Sequence, residues 1–187
     1  MSGEINFSHR SVLLDECIEG LSIKPDGIYI DGTAGGGGHS YEIAKRLTHG
    51  RLICIDQDDA AIAAATKRLE EFSDRVTVVK NNFSNVAEVC ESLGVERIDG
   101  MLLDLGVSSH QLDVAERGFS YNADAPLDMR MDTSASLNAE IVVNTYSAEE
   151  LKRILFGYGE EKFSARIASA IVAEREREPI KDRKSVV

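Results

Sequence analysis

The sequence predicts an α/β protein built on an open parallel sheet. Three observations carry that prediction. Short β-branched and aliphatic runs alternate four times with amphipathic stretches between residues 11 and 105. The first run, Tyr29-Ile30-Asp31, enters a glycine cluster, Gly32-Thr33-Ala34-Gly35-Gly36-Gly37-Gly38, that leads straight into a helical pattern. Four polar residues, Asp31, Asp56, Asn82 and Asp104, close the four runs. Alternating strands and helices imply right-handed crossovers with helices on both faces of the sheet. In such a sheet the ligand crevice lies at the carboxyl ends of the strands.

Taken in order, residues 11–21 carry Val12, Leu13, Leu14, Cys17, Ile18 and Leu21 at helical spacing. Pro25-Asp26-Gly27 is a turn. The first strand spans 28–31, and residues 40–47 form the helix after the glycines. Residues 51–56, Arg-Leu-Ile-Cys-Ile-Asp, are apolar almost throughout, as a parallel strand covered on both faces requires. Asp58 is placed to cap the Ala-rich helix 59–72. The third strand is 75–80, Ser84 can cap a helix running to Leu93, and the fourth strand is 98–104. Residues 106–133 then lack periodicity, and a loop this long is usually functional or mobile. Helices follow at 138–146, at 148–157 behind the capping box Ser147-Ala148-Glu149-Glu150, and at 160–177 with Phe163, Ile167, Ala170 and Ile171 on one face. The sheet stops after four strands and residues 181–187 fit no element. The chain therefore reads as a fragment whose sheet is completed by residues not present.

Composition narrows the function. The chain has 187 residues, 43% of them hydrophobic, enough for a core. No apolar run reaches the ~20 residues of a membrane span, and the first residues lack a signal-peptide pattern. The formal net charge of −11 counts against non-specific nucleic-acid binding while leaving room for one local patch. Cys17, Cys54 and Cys90 read as free thiols in a reducing cytoplasm. The four histidines, His9, His39, His49 and His110, show no metal-ligand spacing, so no metal is expected.

The strand–turn–helix junction suits a nucleotide-like ligand. Its glycines miss the G-x-G-x-x-G register, and no G-K-[ST] is present, which argues against a diphosphate. Asp31 in front of the glycines would repel phosphate and suit a cationic ligand such as S-adenosylmethionine. Asp56 occupies the position from which an acidic side chain accepts from ribose hydroxyls, or it caps the following helix, a role Asp58 fills better. Phe83 either packs on an adenine face or joins the core. Asp104 either holds the cofactor's amino group or an attacking amine, or caps the loop 107–109. The loop 117–132 mixes Arg117, Phe119, Tyr121 and Arg130 with acids, a set able to stack and bond an extruded base. Asp124, Asp128 and Asp132 recur at four-residue spacing, which reads as solvated or arginine-paired carboxylates before a metal site. Arg166 and the charges from 174 to 178 read as a solvated helix face.

These residues resemble a known family. Ser11-Val12-Leu13-Leu14-Asp15-Glu16, Tyr29-Ile30-Asp31-Gly32-Thr33, Gly37-Gly38-His39-Ser40, Leu102-Leu103-Asp104-Leu105-Gly106-Val107-Ser108-Ser109, Gln111-Leu112-Asp113, Glu116-Arg117-Gly118-Phe119-Ser120, Pro126-Leu127-Asp128-Met129-Arg130-Met131-Asp132 and Tyr158-Gly159-Glu160-Glu161 are similar to the bacterial 16S rRNA (cytosine-N4)-methyltransferase family (RsmH or MraW). His110 stands where that family is expected to carry Pro, and the Asp/Asn-Pro-Pro-aromatic motif of many amino-methyltransferases is replaced by Asp104-Leu105-Gly106-Val107. The resemblance implies a Rossmann-like S-adenosylmethionine-dependent methyltransferase sheet with an inserted helical domain. Residues 1–108 would belong to the cofactor domain, 109–133 to an active-site and substrate loop, and 134–187 to the start of a substrate-recognition domain. It implies cofactor contacts at Gly37, Gly38, His39, Asp56, Phe83, Asp104 and Gln111, with Asp104 also the candidate catalytic group. It implies methyl transfer to N4 of cytosine 1402 in the 16S rRNA of the small ribosomal subunit, with neither DNA nor a membrane as partner. A nicotinamide-dependent oxidoreductase on the same fold, or a non-catalytic RNA-binding module, is the competing expectation.

Overall fold

The structure is a computed structural model that describes residues 11–120, 122 and 124–182. Tyr121 and residues 183–187, to which the sequence drew attention, lie outside the described residues. The chain divides into two units, Met1–Ser108 and Ser109–Val187.

The first unit holds β1 (Ile28–Asp31), β2 (Arg51–Asp56), β3 (Val76–Lys80) and β4 (Gly100–Leu102), with α1 (Leu14–Leu21), α2 (Gly38–Ala44), α3 (Asp59–Arg68) and α4 (Val86–Ser92). All pairings are parallel and the strand order is β3-β2-β1-β4. This is a Rossmann-like sheet: strands are laid outward from β1 to β3, and the chain then returns to place β4 on the other side of β1. That reversal puts the switch point between β1 and β4, where such sheets bind ligands. Strand periodicity sends alternate side chains to opposite faces. Tyr29, Leu52 and Cys54 pack with Ile18, Ile43, Leu47, Ala65 and Leu69 from α1, α2, α3 and their flanks. Ile30, Ile53 and Ile55 face the other way, onto Val89 of α4 and Val95. Leu52, Ile53 and Ile55 are wholly buried; each such side chain contributes about 1.5–3 kcal/mol, so the apolar run expected at 51–56 forms the middle of the core.

Several elements differ from expectation, α1 and β4 because a distant partner competes. α1 starts at Leu14, not at residue 11, and Val12 and Leu13 are 67% and 63% exposed. Val12 is drawn out of the helix because its carbonyl accepts from the His39 ring, and Leu13 takes a left-handed φ of 49°. β4 is shorter than 98–104: its register runs only from Gly100 to Leu102 against Tyr29 to Asp31. Beyond it, the Asp104 N–H leaves the ladder and donates to Thr33 Oγ1 at 2.7 Å. Ser84 does not cap the helix before β4: it lies in a short turn, Phe83–Asn85, that Asn82 caps by accepting from the Ser84 N–H at 2.9 Å, and α4 starts after it with no side-chain cap. Asp58 caps α3 as expected, accepting from the Ala60 N–H.

The second unit is helical. α5 (Ser109–Asp113) and a single turn at Ala115–Arg117 occupy the stretch read as aperiodic. α6 (Ala139–Thr145), α7 (Ala148–Gly157) and α8 (Ser164–Arg175) follow. Ser147 and Glu150 form the expected capping box. α8 starts four residues later than expected, because Glu160 adopts φ 49° and breaks the helix there. Its buried face is Ser164, Ala168 and Ile171, while Phe163 and Ala170 are exposed. Leu127, Leu151, Ala168, Ile171 and Ile180 form the core. Residues 180–182 find a place that no local pattern predicts: the Asn144 side chain bonds both the N–H and the C=O of Ile180, and Asp182 bridges to Pro126. Arg175 is not simply solvated, since its guanidinium donates to the carbonyls of Val143 and Tyr146 at the end of α6.

Candidate active site

The site of the first unit is built from strand ends and the turn after β1. That turn is held from inside. Asp31 is fully buried, accepting from the Thr33 N–H at 3.1 Å and the Ser40 hydroxyl at 2.6 Å. Burial pushes its carboxyl up, opposed by the hydrogen bonds from Ser40 and Thr33. The reading of Asp31 as a group facing a cationic ligand is therefore corrected: the carboxylate ties the first residues of the turn to the first turn of α2. Ser40 in turn accepts from the Cys54 thiol at 3.2 Å, and burial raises that thiol further. All three cysteines are free.

The far end of the glycine cluster is the constrained part. Gly37 takes φ 75°, a left-handed conformation that costs other residues roughly 1–2 kcal/mol. At Gly38 any Cβ would collide with the Ser11 hydroxyl. His39 follows, 5% exposed, with Nε2 3.0 Å from the Val12 carbonyl oxygen. A carbonyl only accepts, so Nε2 carries the proton. The other ring nitrogen, Nδ1, lies 4.0 Å from Asp104 Oδ2.

Asp56 reaches back across the turn. Its Oδ2 accepts from the Gly35 N–H at 2.8 Å and its Oδ1 from the Asp58 N–H at 2.9 Å. Each oxygen keeps a further lone pair, so the carboxylate can still accept from two hydroxyl groups. Asn82, at the end of β3, is spent on structure: its amide donates to Gln57 Oε1 at 2.8 Å while its oxygen caps the next turn. Phe83 is half-buried and stands outside both core clusters of this unit. Its Cβ, with Leu103 and Met101, borders Gly32 so closely that a side chain there would strike all three. Asp104 has its backbone tied to Thr33 while its side chain stays 49% exposed. Its carboxylate makes no hydrogen bond among the described residues, so it does not cap the loop 107–109.

The structure thus gathers Gly37, Gly38, His39, Asp56, Phe83 and Asp104 around the carboxyl ends of the four strands in one unit. Gln111 belongs to the second unit, where it is buried on α5. Thr33, Ser40 and the Val12 carbonyl escaped sequence reasoning.

In the second unit the loop read as a base-stacking platform folds upon itself. Phe119 is buried, with the Arg117 guanidinium 6.0 Å from its ring centroid. Arg117 donates to the carbonyls of Arg130 and Met131. Arg130 forks onto Asp128 at 2.9 and 2.7 Å, holding that carboxyl below its usual range, and Asp132 accepts from Ser134. These arginines and acids brace one another. Among the described residues no group of three or more His, Cys, Asp or Glu is placed to hold a metal ion, and no helix is long and apolar enough to cross a membrane.

A parallel sheet with its glycine turn and free acceptors at the switch point defines a Rossmann-like ligand-binding unit. The chain matches the MraW methylase family over residues 6–187 and belongs to it. It is 60% identical over 177 residues to ribosomal RNA small subunit methyltransferase H of Lachnospira eligens, covering 94% of this chain and 56% of that protein. The enzyme of the same name from Brevibacillus brevis is 55% identical over 177 residues, with 94% and 56% covered. The chain therefore spans little more than half the length of these relatives. Among solved structures, the C-terminal domain of precorrin-6Y C5,15-methyltransferase from Rhodobacter capsulatus is similar at 18% identity and a TM-score of 0.43, over 67% of this chain and 65% of that one, too slight a likeness to add to the fold described above.

Proposed function

We propose that this chain carries the cofactor site of an enzyme that moves a methyl group from S-adenosylmethionine to N4 of cytosine 1402 in 16S rRNA. The observation that carries the reading is the convergence, at one switch point, of a glycine turn, a carboxylate with spare acceptors and a second, open carboxylate. The residues fit the cofactor: Asp56 keeps lone pairs for both ribose hydroxyls, and Phe83 is a ring left outside the core. Gly37 and Gly38, at the start of α2, are the expected backbone contacts of the cofactor. The cofactor supplies an electrophilic methyl carbon on a sulfonium. The protein's task is then chiefly positioning, holding the cytosine amine in line behind that carbon. The amine lone pair is delocalised into the base. Asp104, open and fixed through Thr33, accepts from the amine, localises the pair and takes the proton. The second unit recognises the small ribosomal subunit.

The test uses the protein with Asp104→Asn and labelled cofactor on small ribosomal subunits. Methyl transfer should fall by roughly 10²–10⁴-fold with cofactor affinity changed only a few-fold. A wild-type rate removes Asp104 from the mechanism. Failure of the unaltered protein to label 16S rRNA, or calorimetric binding of NAD in place of S-adenosylmethionine, removes the whole reading.

A further inference from the structure

We propose that the His39 ring is a second acceptor for the target amine, so that His39 Nδ1 and Asp104 Oδ2 together seat one amino group by both of its hydrogens. This rests on the reading that places Asp104 on that amine, and it gives a task to a ring which that reading does not use. The cofactor contact expected at His39 is left to its backbone beside Gly38. The ring is fixed from behind: it is 5% exposed, and Nε2 donates to the Val12 carbonyl oxygen at 3.0 Å. An imidazole with one donor nitrogen has an acceptor at the other, here Nδ1. Nδ1 has no hydrogen-bond partner among the described residues. Asp104 Oδ2, opposite it, is 4.0 Å away, beyond hydrogen-bond reach. No buried side chain among the described residues carries a nitrogen or oxygen that is both sealed and unpaired, so Nδ1 opens into the crevice. Asp104 meets it with a half-exposed side chain on a backbone tied to Thr33.

Two acceptors therefore face each other, and neither can donate to the other. What fits between them is a donor with two hydrogens. The spacing also selects the shape of that donor. An amine with both hydrogens on acceptors ~2.9 Å away holds those acceptors about 4.7 Å apart when tetrahedral and about 5.0 Å apart when planar. The 4.0 Å observed lies nearer the tetrahedral value. A base amine is planar at rest and becomes tetrahedral as its electron pair localises, so the seat favours the reacting form over the resting one. The amine's electron pair then forms the new N–C bond while the methyl carbon's bonding pair stays on the departing sulfur. One amine hydrogen passes as a proton to Asp104, and the other remains on Nδ1. The methylated amine has a single hydrogen left and cannot satisfy both acceptors. The seat thus stops the reaction after one methyl group.

The test uses two variants that divide the ring's two nitrogens. Glutamine reaches as far as Nε2 and puts carbon where Nδ1 stood, whereas asparagine reaches only as far as Nδ1 and gives up Val12. His39→Gln should keep the thermal melt and the calorimetric affinity for S-adenosylmethionine, while methyl transfer to small ribosomal subunits falls about tenfold to a hundredfold. His39→Asn should melt lower and recover part of the transfer rate. Mass spectrometry of the product nucleosides supplies a readout that a merely bracing ring would not move. The unaltered protein should leave one methyl per target amine, and His39→Gln should add a dimethylated fraction. Nitrogen NMR of the chain with isotope-labelled histidine, His39→Gln identifying the signal among the four histidines, should show Nε2 protonated and Nδ1 bare. Transfer at the unaltered rate by His39→Gln, a product that still stops at one methyl, or a proton on Nδ1 overturns the seat. So does a loss of affinity for S-adenosylmethionine that spares methylthioadenosine, which lacks the amino-acid part, because the seat then holds the cofactor's own ammonium. Failure of the unaltered protein to label 16S rRNA refutes the enzyme and the seat with it, whereas labelling that ignores His39 refutes the seat alone.

Discussion

Replacing Asp56 by asparagine separates two jobs of one carboxylate. Both oxygens accept from backbone N–H groups, Gly35 at 2.8 Å and Asp58 at 2.9 Å. Asparagine keeps the shape but has one acceptor and one donor. Whichever way the amide turns, an NH₂ meets an N–H. One charge-assisted bond is lost and one N–H is left unpaired, each worth about 1–3 kcal/mol. Half-burial of the residue lets water recover part of this, so the net loss should be about 2 kcal/mol. For a chain of this size that lowers the melting temperature by roughly 4–8 °C. The assay is a thermal melt followed by circular dichroism, paired with calorimetric titration of S-adenosylmethionine. Cofactor affinity should fall about tenfold or more through the lost ribose acceptor. A melting temperature unchanged within about 1 °C refutes the bracing role. A stability loss with full affinity refutes ribose binding and leaves the bracing intact.

Two more outcomes follow from the geometry. Gly38→Ala forces a Cβ into the Ser11 hydroxyl; a loss of about 1–3 kcal/mol is expected from overpacking, with cofactor affinity falling further than stability, and an unchanged melt in urea would show that the segment at Ser11 yields freely. In the second unit Asp128 is held below its ordinary value, chiefly by hydrogen bonds from Arg130. A depressed carboxyl contributes stability that is complete above its unfolded value, about 3.9, and is lost as pH falls through the lower folded value. Arg130→Lys removes the fork onto Asp128 and should lower stability at pH 7, with a shallower loss below pH ~4 than in the unaltered chain. Equal acid sensitivity in both proteins would mean the pair does not set that slope.

Much of both units was legible in the sequence because the signals are local. A buried parallel strand is a run of apolar residues wherever it lies, hence Arg51–Asp56. A cap is defined by the next few amides, hence Asp58 and the Ser147 box. Strand-end acids mark the crevice because strand ends are where the sheet leaves room, so Asp56 and Asp104 could be singled out before any partner was known. The misread residues are those whose partners lie far along the chain. Asp31 looked outward until the Ser40 hydroxyl and the Thr33 N–H were seen to enclose it. Arg117 and Arg130 looked available for a base until the carbonyls and carboxylate they hold were in view.

Sequence alone determined the order and type of the principal elements, the glycine turn after the first strand and the family pattern that runs through residues 6–187. Periodicity and glycine placement are properties of neighbouring residues, and they survive without a fold. Only the tertiary structure decided how long each element runs and which polar groups remain open. Val12 leaves its helix for His39, and Asp104 leaves its strand for Thr33. The physical reason is the same in each case: a backbone or side-chain polar group goes to whichever partner the folded sheet brings within 3 Å, and burial makes leaving it unpaired too costly for local preference to prevail.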